Sequence, residues 1–343
     1  MASLNVTAPP FINSPLQIGS LTLPNRLIQG PLAGYSCAPF RLMFDEFMAP
    51  AYCVSEMCSA QDVLNRHTTH SRYLYRASKE AILAYQISGT DPKIMAQAAQ
   101  KLQDLGANLI DINCGCPKIK IRKKGAGSAL LENPTLLMEN VLQIKQHISI
   151  PLTVKIRLLG NPQDVILAKN LEEAGADALI VHGRSWKDGY DVACDLDQIA
   201  LIKQQINIPL IANGDIADSA SLNKAMQATC ADAYMISRAG CGRPWLYQYL
   251  LTQEPLEISL AEKIRLFMLH LHGLAVLENE RKAVLQSKSL VRYYFRQLKT
   301  EQLQRFYALN SLNEIRDWLS TLEIPQIFST KLIRSNVTTN TIP

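Results

Sequence analysis

No stretch of roughly eighteen uncharged apolar residues occurs anywhere in the 343-residue chain, so it holds no candidate for a membrane-spanning helix. The opening MASLNVTAPPFINSP has neither a basic start nor an apolar core. No targeting leader is expected, and a cytoplasmic location is. A dense cysteine framework is also missing. Eight cysteines, at 37, 53, 58, 114, 116, 194, 230 and 241, are too scattered to staple a small secreted fold and read as reduced thiols. There is no low-complexity segment and no repeat beyond a strand–helix period. Charge of one sign is scarce too: the net +5 is modest, so its distribution carries more than its size.

What is present is an ordinary globular composition, 48% hydrophobic and 19% charged, able to bury a real core. Short apolar runs recur: RLIQG (26–30), AYCVS (51–55), ILAYQIS (82–88), NLIDIN (108–113), LTVKI (152–156), ALIVHG (178–183), PLIANG (209–214) and AYMIS (233–237). The segments between them are long enough for one helix each. KIMAQAAQKLQDLG and QDVILAKNLEEAG show helical periodicity and end in Gly, as a left-handed C-cap would. Eight alternations with strands apolar on both faces predict an α/β fold, a parallel (β/α)8 TIM barrel, of about 250 residues. From about Ser259 the pattern turns to helix without strands. The expected organisation is a barrel over 1–255, an all-helical domain over 256–335, and a flexible tail at 336–343.

Gln86, Asn113, Lys155, His182, Asn213 with Asp215, and Arg238 all fall at or just after strand C-terminal ends. In a barrel these ends share the face where active sites are built. The small-residue turns IANGDIAD and MISRAGCGRPW follow strands seven and eight, where backbone N–H groups and Arg238 suit a phosphate, and so a phosphorylated cofactor such as FMN. Lys155 should point into the mouth and meet an anion, Gln86 could bond a flavin ring edge, and His182 reads equally as a cofactor contact or as a neutral imidazole bonded to backbone. Cys116, in NCGCP, is nucleophile, acid, metal ligand or inert filler by type; Lys118, Lys120, Arg122, Lys123 and Lys124 beside it suit a phosphodiester backbone. The spacings Cys-x4-Cys and Cys-x-Cys are not zinc spacings, and no metal is expected. From Pro255 onward twelve Lys/Arg face eight acids, and Lys288, Arg292, Arg296 and Lys299 are spaced to share one helix face, with Leu290, Tyr294 and Leu298 on another. That stripe is either a solvated face or an RNA contact.

These motifs, in order from GPLAGYSCAPFR through VSEM, QISGTDP, INCGCPKIKIRKKGAGSALL, VKIR, VHGR, IANGDI and RAGCGRPW to KSLVRYYFRQLK, resemble the tRNA-dihydrouridine synthases, most closely their bacterial B-type branch. The likeness spans about three quarters of the chain. It implies an FMN barrel with a helical RNA-binding domain, tRNA as partner, NADPH as reductant and a monomer. Pro31, Leu32 and Ala33 would line the flavin, Gln86 and Lys155 bind its ring, and Asn213, Gly214, Asp215, Ser237 and Arg238 its phosphate. Cys116 falls on the catalytic cysteine, Asn113 on a base-contacting asparagine, and Arg157 and Arg184 on the substrate side. By the family's chemistry a uridine, which the B-type likeness would put in the D-loop at position 17, is extruded, takes hydride at C6 and is protonated at C5 by Cys116. Two departures stand out: Ser237 where the family usually has Gly, and Cys114 where an apolar residue is common. Rival readings are a flavin- and folate-dependent RNA uridine C5-methyltransferase, a dehydrogenase for a free pyrimidine, and an RNA-binding protein without catalysis.

Overall fold

The structure is a computed structural model that describes residues 8–322. The tail at 336–343, the last part of the region reaching 335, and the charges Glu323, Lys331 and Arg334 lie outside the described residues. Eight parallel strands close on themselves: Leu27–Gln29, Tyr52–Val54, Leu83–Ser88, Leu109–Cys114, Leu152–Leu158, Ala178–Ser185, Leu210–Asn213 and Ala233–Ile236, with the eighth paired to the first. Closure explains the unbroken apolar runs. Inward side chains fill the barrel and outward ones meet helices, so both faces are mainly apolar. Leu109, Ala178, Ile180, Ile211, Ala233 and Met235 form the inner core, while the outer residues join the helices in a larger one.

The helices start where the sequence offers caps. The side chains of Asp91, Asn133, Asp195 and Asp218 each accept backbone N–H bonds at a helix start. Gly106 and Gly175, at φ +90° and +103°, end the two helices whose periodicity marked them in the sequence.

The element before the barrel was not foreseen. An antiparallel hairpin, Leu16–Ile18 against Leu21–Leu23, places Leu16, Ile18 and Leu23 into the barrel's inner core. It plugs the N-terminal end and leaves the C-terminal end for chemistry.

After the barrel, helices Leu260–Leu277, Glu280–Tyr294, Thr300–Tyr307 and Leu312–Ser320 follow. Gly273 packs so tightly on Pro39 that an added Cβ would lie 3.0 Å from it. Here the expected basic stripe needs correction. The helix carrying Lys288 and Arg292 stops at Tyr294, because Phe295 leaves helical geometry to pack edge-on against Phe267 at 5.4 Å. Arg296 therefore lies in a turn and Lys299 caps the next helix, so the four cations do not share one helix face.

Candidate active site

The C-terminal strand ends surround a cavity of about 800 Å³. From Pro31, Leu32 and Ala33 after the first strand to Ser237 and Arg238 after the eighth, every residue expected to hold the cofactor lines it, as do Cys116, Asn113 and Arg157.

Its floor is a buried polar network. Asp111, fully buried on the fourth strand, accepts from Gln86 Nε2 at 2.6 Å and Thr153 Oγ1 at 2.7 Å. Gln86 Oε1 accepts from Asn113 Nδ2 at 2.7 Å. Asn113 Oδ1 in turn accepts the backbone N–H of Cys116 at 2.9 Å and of Gly115 at 3.3 Å. Burial raises the Asp111 carboxyl above its ordinary range, and burial lowers the Lys155 ammonium, each partly offset by the other's charge. Burial, with Lys155, Arg157, Arg184 and Arg238 adding their positive charge, pushes His182 down to about 2, so its ring is neutral.

The Cys116 loop is built from its glycines. Gly127 sits at φ +64°, and a Cβ there would come within 2.8 Å of the Cys116 carbonyl. That carbonyl accepts both the N–H and the hydroxyl of Ser128 at 3.1 Å. The thiol itself is half-buried at the cavity wall. Cys114 differs: it is fully buried in the core, and burial pushes its thiol far above the usual range, which suits filler. Among the described residues, no group of three or more His, Cys, Asp or Glu could hold a metal ion.

On the opposite wall the backbone comes close. Gly214 is at φ +120° and would clash with Cys194 Sγ at 2.2 Å if it bore a Cβ, and Gly30 would meet Ser237 Oγ at 2.5 Å. Asn213 Nδ2 donates to the Met235 carbonyl at 2.8 Å, which ties the seventh strand to the eighth. A floor cation, amide donors and side-chain-free backbone are chemistry that fits a flavin mononucleotide.

Several expected substrate residues sit elsewhere. Arg184 is 2% exposed and grips both oxygens of Asp215 at 2.7 and 2.8 Å, with Cys194 Sγ at 3.1 Å; it lies behind the cavity and shapes its wall. Arg122 lies over the Trp186 ring at 3.5 Å and bonds Glu132 and Ser128, which braces the Cys116 loop. Lys120 and Lys123 are exposed beside it. Lys288 Nζ donates to the Tyr307 carbonyl and Arg292 Nε to the Tyr307 hydroxyl, both at 2.7 Å, so they fasten two tail helices together. Lys299 is exposed and away from the cavity, whereas Arg296 lines it.

Sequence reading missed Asp111, Met57, Tyr190 and Tyr293. Tyr190, 60% exposed, lies under the Arg238 guanidinium at 3.7 Å. Tyr293 enters from the helical region and meets Tyr35 edge-on at 5.9 Å. Met57 and Tyr293 lie inside VSEM and KSLVRYYFRQLK, but only fold closure brings them to the cavity beside Tyr190, with Asp111 beneath it.

The family model for dihydrouridine synthase (Dus) matches residues 28–328. The chain is 38% identical over 290 residues to the tRNA-dihydrouridine synthase B of Pseudomonas aeruginosa, covering 82% of this chain and 87% of that one. It is 34% identical over 317 residues to the enzyme of the same name from Escherichia coli K12, covering 90% and 98%. Among solved structures, an old yellow enzyme homologue from Zymomonas mobilis superposes with a TM-score of 0.56 at 14% identity, over 74% of this chain and 96% of that one. Morphinone reductase in complex with tetrahydroNAD does so at 0.53 and 14%, over 72% and 92%. At that identity the likeness concerns the barrel fold.

Proposed function

The chain belongs to the dihydrouridine synthase family, and on that premise we propose that Cys116 is the general acid with which it reduces a tRNA uridine. It is an FMN-dependent oxidoreductase with NADPH as reductant. Neither methyl transfer nor RNA binding without catalysis is favoured by this kinship. FMN, when bound, supplies a hydride to the uracil C6 and is restored by NADPH.

The protein's own residues do the rest. The Cys116 thiol gives its proton to C5, completing the saturation of the C5–C6 bond, and the thiolate regains a proton from solvent. Asn113 holds the base edge beside it. Arg157, 4% exposed on the cavity wall with its Nη1 on the Ser185 carbonyl at 2.7 Å, faces the substrate side. A base paired or stacked in folded tRNA cannot reach this depth, so the nucleotide is extruded. The exposed lysines Lys118, Lys120, Lys123 and Lys124, with Arg296 across the mouth, hold the flanking backbone, and the helices from 256 onward act as the RNA-binding domain. Among tRNA uridines, one in the D-loop is the proposed target.

The observation that carries this reading is one cavity presenting a half-buried thiol, a side-chain amide and a floor cation together. Cys116→Ala is expected to leave NADPH-driven flavin reduction intact and to slow dihydrouridine formation about a hundredfold or more, whereas Cys114→Ala retains most activity. Mass mapping of tRNA uridines checks it. Equal loss in both variants would overturn the role of Cys116.

A further inference from the structure

The buried carboxylate of Asp111 has no part in the chemistry just described, yet it is the end point of a directed chain. An ionised carboxylate can only accept hydrogen bonds. Its contact with Gln86 therefore obliges Gln86 to turn its amide nitrogen toward Asp111, at 2.6 Å, and its oxygen the other way. The oxygen can only accept, so Asn113 turns its nitrogen to Gln86, at 2.7 Å. Asn113 is then left with its oxygen facing the N–H groups of Cys116 and Gly115, at 2.9 and 3.3 Å. Each link fixes the next. Because each amide nitrogen carries two hydrogens and one is used in the chain, Gln86 and Asn113 each retain one N–H donor, and both side chains line the cavity.

We propose that Asp111 is a positioning residue that sets this amide direction, so that the cavity offers N–H donors, and not carbonyl acceptors, to the base held beside Cys116. Resting on the reading that Asn113 contacts the base, the consequence is specificity. A uracil edge bearing a carbonyl is accepted, and a cytosine edge bearing an amino group meets a donor with a donor. A site built to hydrogen-bond discriminates strongly, because the wrong partner leaves buried polar groups unpaired. The same chain pins the Cys116 backbone, so base polarity and thiol placement have one anchor.

Asp111→Asn tests direction apart from charge. The new amide can keep its oxygen toward Gln86 and donate to Thr153, whose hydroxyl can accept in place of donating. Asp111→Leu removes the anchor, and Gln86→Met cuts the chain at its middle link. Hydrogen exchange at the Gly115 and Cys116 amides of the full-length protein reads the anchor directly. The preference in kcat/KM for tRNA transcripts with D-loop uridine over transcripts with cytidine at those positions reads the polarity. Asp111→Asn should stay within about twofold of wild type on both measures. Asp111→Leu and Gln86→Met should speed exchange at least about fivefold and reduce the preference about tenfold or more. Unchanged exchange and preference in Gln86→Met would overturn the proposal, even if Asp111→Leu does not fold. So would an Asp111→Asn as damaged as Asp111→Leu, since charge and not direction would then matter. If no transcript is reduced by any form, the functional reading fails, and the exchange measurement still decides whether Asp111 anchors the loop.

Discussion

Gly127 shows how single residues set the reactive loop. Its positive φ and its 2.8 Å clearance from the Cys116 carbonyl leave no room for a side chain. Gly127→Ala should cost roughly 1–3 kcal/mol, from left-handed backbone strain and displacement of that carbonyl. The expected outcome is a lowered Tm together with slowed uridine reduction at unchanged FMN content, because the turns at Gly214 and Ser237, proposed to hold the cofactor, lie on the other wall. Normal Tm and turnover in this variant would show that the loop has slack. At this scale much of the site was readable. Cys116, Asn113 and the glycines stand in one short stretch, and a polar residue closing an apolar strand is conspicuous. Asp111 was not readable for the opposite reason: inside LIDINC its direction depends on which face of the strand looks inward, and only its partners Gln86 and Thr153, on neighbouring strands, reveal that it is satisfied.

Elements were legible where period and punctuation agree, and lost where tertiary packing overrides them. All eight barrel strands follow their apolar runs. The helix ending at Tyr294 does not follow its charge spacing, since burial of Phe295 against Phe267 outweighs continuation of the stripe. The plugging hairpin escaped notice because three-residue strands carry almost no periodicity. Helix Leu260–Leu277 carries a consequence for pH. His270 is buried there, its Nδ1 3.2 Å from the Tyr294 hydroxyl, and burial together with the positive charge of Arg72 pushes it down to about 3. A base with a depressed folded-state pKa binds its proton in the unfolded chain first. Its stabilising contribution is therefore complete above about pH 6.5 and is lost as pH falls from there toward 3. His182 acts in the same sense, while the raised Asp111 acts oppositely, losing stability as pH rises through its folded-state value. His270→Phe removes only the first of these. Between pH 7.5 and 5.5 the wild type should lose about 1.4 kcal/mol more than the variant in urea unfolding. Parallel pH profiles would mean that His270 is protonated within the fold.

For the whole molecule, the decisive feature is that the helical region packs against the barrel beside its mouth and contributes residues to the cavity. Arg72 joins them: it bonds Glu56 of the barrel at 2.7 Å and Glu278 of the helical region at 2.6 Å, while the Glu56 carboxylate also accepts the Gly34 N–H at 2.6 Å. Tyr293 and Arg296 are thereby delivered to the cavity rim, where Lys118 arrives from the Cys116 loop. This arrangement could not be read from charge counts, which place the C-terminal excess in a segment but not on a face of the fold. It leads to a revised expectation for tRNA binding. If the RNA backbone crosses the mouth from the lysine run to Arg296, both ends should contribute to counterion release. Affinity should fall with salt, and Lys120→Glu with Lys123→Glu should flatten the log–log slope by roughly 0.7–0.9 for each phosphate that the protein no longer neutralises. Arg296→Glu should flatten it further, by about the share of one phosphate, and the two effects should add because the groups stand on different walls. FMN content in the lysine variant should stay unchanged, since neither side chain lines the cavity. A combined variant that keeps the wild-type slope would place the RNA on another face, and the exposed Lys299 would be the next cation to reverse.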